Sequence, residues 1–191
     1  MSPARLAAWG AALALLFVPL GRAPAPSAAG SLASRVLGPV GSLAASLQWL
    51  RVEQALDHGR PTLAFARAET ALELDPESSE GWIYLARILA HRLGSPEVEA
   101  EPAARARWVR AALEVLRRGE EQARRPSELL FARALILIQV GLTEEGLIPW
   151  PGGGAGALRE AAGALAQAAA LGHPEAEELE RATRAAAGRS E

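Results

Sequence analysis

From residue 43 onward the apolar residues of this chain return every third or fourth position, and prolines cut the run at intervals. That spacing gathers them on one side of an α-helix. A proline inside a helix removes a hydrogen bond and crowds the preceding turn, so each proline marks where a helix starts or stops. The stretch ALELDPESSEGWIYLA, residues 71–86, shows the pattern most clearly. A helical run ends in Leu-Asp-Pro, a polar turn follows, and a second run opens at Trp82. Pro61 suits the first turn of a helix, where its missing N–H is no loss. Pro76 and Pro126 stop helices. Alanine and leucine, both strong helix formers, dominate the composition, and aromatic residues make up only 5% of it. The expected fold class is all-α, with seven helices paired as antiparallel hairpins.

The 191 residues suffice for one ordinary domain and a targeting segment. The chain opens MSPAR and continues LAAWGAALALLFVPL over residues 6–20. A short positive start, an apolar core and a small-residue stretch predict a signal peptide or an N-terminal membrane anchor over residues 1–22. Ser27-Ala28-Ala29 before Gly30 fits a small-x-small cleavage rule. The apolar run falls short of the ~20 residues that span a bilayer, but its flanks extend it, and both readings stand. Residues 23–31 read as a Pro/Ala/Ser linker. Residues 32–191 read as the helical domain, with Gly38-Pro39 expected to split its first apolar stretch into two short pieces. The protein is expected to be exported or membrane-anchored, on the periplasmic or cell-envelope side if its source is bacterial.

Self-similarity sharpens this picture. Gly59 ends one helix, Ala64, Ala68 and Ala71 form a small-residue stripe on the next, and Pro76 closes the unit. Trp82, Leu85, Ala86 and Leu89 then fall on the pattern Trp-x-x-Leu-Gly-x-x-Tyr, with alanine for the glycine and leucine for the tyrosine. Ala104, Trp108 and Ala111 follow as alanine, aromatic, alanine. A third unit runs through Leu130, Ala134, Leu137 and Gly141 to Ala162, Ala169 and Pro174, where AALGHP echoes ALELDP. These residues resemble the tetratricopeptide repeat, a helix–turn–helix unit of about 34 residues. The resemblance covers residues 43–174 and departs from the family at Ala68, where an aromatic is usual. It also departs at the long inserts near residues 91–102 and 142–157. It implies an α-α superhelix of about three hairpins, with Trp82 packed on the preceding pair and residues 175–189 as a charged capping helix. It also implies a peptide groove lined by Trp49, Glu53, Leu56, Ile83, Arg87 and Ala90.

Little in the chain points to catalysis. A net charge of −2 and the lack of a basic stripe argue against nucleic acid. The absence of cysteine excludes disulfides, thiolate nucleophiles and cysteine-ligated metals. His58, His91 and His173 sit at helix ends, where imidazole meets terminal carbonyls, and no pair has metal-ligand spacing. The acidic clusters at 97–101, 119–122 and 175–180 are interspersed with arginines and read as solvated faces. The PGGG at 151–154 lacks the lysine and the preceding strand of a phosphate-binding loop. No catalytic, cofactor-binding or metal residue is therefore assigned. Leu147, Ile148 and Trp150 form an apolar tip expected to anchor the insert, while Gly152–Gly156 act as a hinge. The function expected is a non-enzymatic protein–protein interaction scaffold that binds an unidentified protein or peptide. The alternative is an envelope component that self-associates.

Overall fold

The computed structural model describes residues 28–143 and 147–189, with side chains from residue 40 onward. The signal or anchor expected at residues 1–22 lies outside them. Among the described residues the chain forms seven α-helices and no strand, as the apolar spacing predicts. They are α1 (Ala28–Asp57), α2 (Pro61–Leu74), α3 (Ser79–Arg87), α4 (Pro102–Glu120), α5 (Pro126–Leu142), α6 (Gly153–Ala170) and α7 (Ala176–Arg189). Pro61, Pro102 and Pro126 each open a helix. No helix among the described residues is long and apolar enough to cross a membrane.

The chain divides into two compact units at Pro76, the residue that ends the Leu-Asp-Pro stop. The first unit holds the α1–α2 hairpin. Its turn is set by Gly59, whose φ of +66° lies in the left-handed region that side chains avoid. The Gly59 N–H donates to the Leu56 carbonyl at 3.0 Å, and the Arg60 N–H donates to the Ala55 carbonyl at 2.8 Å. Two carbonyls that the helix end would leave bare are thus satisfied. On α2 the small-residue stripe Ala64, Ala68 and Ala71 is fully buried, and on α1 Ala45, Val52, Ala55 and Leu56 are buried. Small side chains let the two backbones approach closely.

One expectation fails here. Gly38-Pro39 does not split the first helix, because α1 runs unbroken from Ala28 through both residues. The usual penalty on the residue before proline comes partly from its Cβ striking the proline ring. Glycine has no Cβ, so at this dipeptide that part of the penalty is absent, and the helix continues although Pro39 donates no N–H and crowds the preceding turn.

The second unit holds α3 to α7. Its largest core cluster joins Leu130, Ala134 and Leu137 of α5 to Ala161, Ala164, Leu165 and Ala168 of α6 and Ala176 of α7. The α6–α7 turn repeats the chemistry of the α1–α2 turn. Gly172 has φ +83°, its N–H reaches the Ala169 carbonyl at 2.9 Å, and the His173 N–H reaches Ala168 at 3.0 Å. The echo between AALGHP and ALELDP is therefore one of sequence alone. Asp75, with φ −141°, ends α2 in extended backbone with no left-handed residue.

The glycines after Pro151 are not a hinge. Gly153, Gly154 and Gly156 form the first turn of α6, and the insert between helices shrinks accordingly. A Cβ on Gly154 would lie 2.7 Å from the Gly141 carbonyl oxygen of α5, and one on Gly141 would lie 2.5 Å from Leu158 Cγ. A Cβ on Gly156 would lie 2.2 Å from the Pro151 carbonyl oxygen. Gly154 and Gly156 are thus places where backbone meets backbone, and Gly141 makes room for Leu158.

Candidate functional site

The helix that opens at Ser79 and carries Trp82 changes pitch midway. After Arg87 the chain continues as a π-helical turn, Ile88–Leu93, closed by the Gly94 N–H donating to the Leu89 carbonyl at 2.9 Å. Such turns are rare and often occur at functional sites. Packing explains this one locally. A Cβ on Gly94 would meet the Ala90 carbonyl oxygen at 2.7 Å and Trp108 Cβ at 3.3 Å, so the chain passes hard against α4 as it leaves the turn. Trp108 itself is fully buried.

The wide turn and the segment after it frame an open depression of about 480 Å³. Tyr84, Arg87, Ile88 and His91 come from one face of the continuous helix, with Arg92 beside them. Ser95, Glu97 and Val98 close the far side. Ile88 and Val98 give it apolar surface, and Arg87, Arg92 and Glu97 give it charge. His91 is held below its ordinary value of 6.5, first by partial burial and then by the Arg87 charge. Its ring is therefore largely neutral at pH 7 and offers one donor and one acceptor. Glu97 is held below the ordinary carboxylate range by its own backbone N–H and by Ser95, so it stays ionised. The arrangement can grip a segment that brings an apolar side chain and polar groups together. Among the described residues no three histidine, aspartate or glutamate side chains gather as a metal-binding group.

The residues implied as groove-lining fall in both units. Trp49, Glu53 and Leu56 belong to α1, with Leu56 buried. Ile83, Arg87 and Ala90 belong to the helix at the depression. Arg87 lines it, Ile83 is half-buried, and Ala90 is buried behind it. Tyr84, one helical turn before Ile88, was not assigned to the groove, nor were His91 and Arg92, which lie in a π-helical turn that the apolar spacing does not announce.

The packing residues are placed as follows. Ala64, Ala71, Leu85, Ala86, Ala104 and Ala111 are buried, Gly59 forms the α1–α2 turn, and Pro76 is half-buried at the unit boundary. Trp82 is 2% exposed and packs on α4, which follows it in the chain. A Cβ on Gly119 would lie 2.7 Å from Trp82 Cγ, and Arg118 stands 5.7 Å from the indole centroid. Trp150 is half-buried against the α5–α6–α7 core, and its carbonyl accepts the Gly153 N–H at 3.0 Å.

The histidines and acidic clusters have structural settings. His58 Nδ1 lies 2.6 Å from the Gln54 carbonyl oxygen at the end of α1, and His173 stacks on Phe131 with centroids 4.0 Å apart. Arg117 bridges Glu114 at 2.7 Å and Glu121 at 2.8 Å on an open face of α4. Glu120 pairs with Arg133 of α5 at 3.0 Å, half-buried, and desolvation raises its carboxyl above the ordinary range against the pull of Arg133. Arg105 of α4 was not foreseen: it is 4% exposed and its Nε has no hydrogen-bond partner.

No protein-family model, curated protein or solved structure matches this chain.

Proposed function

We propose that this protein is a non-enzymatic interaction scaffold of tetratricopeptide-like helical hairpins, exported or tethered to a membrane by residues 1–22. It holds a segment of a partner protein. The observation that carries this reading is the depression at the π-helical turn: open, part apolar and part charged, and built on a helix whose other face is buried in the core. Binding surfaces work best on rigid elements, since less freedom is then lost on association. The Gly59 turn, the buried Ala64–Ala68–Ala71 stripe and the Trp82 pattern support the repeat reading. The apolar run at residues 6–20 supports export or tethering.

The test is comparative affinity capture from an envelope extract of the source cell with the full chain and with its Arg87→Glu variant. Arg87 is exposed, so the substitution leaves the core intact. The proposal expects a defined protein recovered by the wild type and lost by the variant. Identical recovery by both would remove the depression from the account.

A further inference from the structure

The depression at the π-helical turn carries charge of both signs on its two sides. Arg87 lines it from the helix, and Glu97 lines it from the segment that closes the far side. Both are exposed, and among the described residues neither pairs with an opposite charge. Elsewhere in the second unit arginines meet carboxylates of the chain itself: Arg117, Arg124, Arg125 and Arg133 each have one. Arg92, beside Arg87, already has an interaction of its own. Glu97 is also held in place before anything binds, because its own backbone N–H and Ser95 hydrogen-bond its carboxylate. A group fixed in advance loses less freedom on association. Ile88 and Val98 give the same depression apolar surface.

We infer that the depression takes a segment of a partner chain with an acidic and a basic residue on either side of an apolar one. This rests on the scaffold reading and adds the chemistry of what is held. The acidic group meets Arg87, the basic group meets Glu97, and the apolar side chain lies on Ile88 and Val98. The two sides also reject wrong segments. An all-acidic segment sets a carboxylate against Glu97, an all-basic one sets a cation against Arg87, and like charges brought together cost binding energy. His91 adds a donor and an acceptor without adding charge. The depression is open, which suits a chain that enters and leaves it, whereas a small-molecule site closes around most of its ligand.

Heteronuclear NMR of the full chain in a mild detergent tests this with four short end-capped peptides built on a central leucine. Two flank it with glutamate and lysine, in either order; one has glutamine on both sides and one has glutamate on both sides. A mixed-charge peptide is expected to shift the amides of residues 84–98 and to bind about fivefold tighter than the glutamine peptide, as two exposed ion pairs would allow. It should lose that margin with Arg87→Gln and with Glu97→Gln, both exposed positions that leave the core intact. Equal binding of the mixed-charge and glutamine peptides overturns the inference and leaves the depression as an apolar docking site. Tighter binding of the all-glutamate peptide overturns it in favour of an acidic segment. No shift at residues 84–98 with any peptide also overturns it, and the Arg87→Glu capture comparison then judges the scaffold reading by itself.

Discussion

Trp82 shows how much of a fold can rest on an atom that is missing. Its indole lies where a Cβ on Gly119 would reach to 2.7 Å of Cγ and 3.0 Å of Cβ, near the root of the side chain, where nothing can swing aside. Gly119→Ala should therefore destabilise the protein by about 1–3 kcal/mol through overpacking. Gly163 of α6 is exposed with nothing near its missing Cβ. Gly163→Ala should stabilise by about 0.5–1 kcal/mol, by reducing the freedom of the unfolded chain. Paired thermal melts of the two variants check both signs, and equal shifts would contradict this packing. Trp82 was legible in the sequence; Gly119 was not, because it belongs to a charged stretch that reads as a solvated face.

The Arg117 hydrogen bond, above all, holds the Glu114 carboxyl below its ordinary 4.5. The folded protein thus releases that proton more readily than the unfolded chain. The resulting stabilisation is present above about pH 4.5 and fades as the pH falls through the lowered folded value. Glu114→Gln should therefore lower stability slightly near neutrality and change it little in acid, flattening the acid limb of stability against pH, as denaturant titrations at about pH 7 and about pH 3 would show. The pair is solvent-exposed, so the effect is small.

At the scale of elements, the α5–α6 crossing is set by glycine against glycine. The sequence shows five glycines and a tryptophan in a long insert, a composition that reads equally as a loose hinge or a close approach. Only the distance between Gly154 and the Gly141 carbonyl separates the two. Deleting Gly152–Gly154 should lower the melting temperature, at about 2–4 °C for each kcal/mol lost in a chain of this size. Trp150→Ala should also destabilise, by less than the ~3–5 kcal/mol of a fully buried aromatic, because Trp150 is half-buried. A deletion variant that melts like the wild type would restore the hinge. Pro126, read as a stop, opens α5, but the start at Pro61 was read well, because proline restricts the backbone locally. The Gly38-Pro39 continuity and the π-helical turn were not, because both depend on how neighbouring groups tolerate a local defect.

At the scale of the whole molecule, the two units offer different surfaces, exposed leucines on α1 in the first and the depression in the second. The all-α class was written in the period of the apolar residues, which any helix packed on one side must show. The depression was only half legible. Arg87 could be placed on an open helix face, but His91 and Arg92 lie in the π-helical turn that follows it, which no residue pattern announces. The most direct test of the scaffold reading is a calorimetric titration of the captured partner into wild-type and Arg87→Glu protein. The account predicts at least a tenfold loss of affinity, about 1.4 kcal/mol, with an unchanged melting temperature. Equal affinities for the two proteins would contradict it.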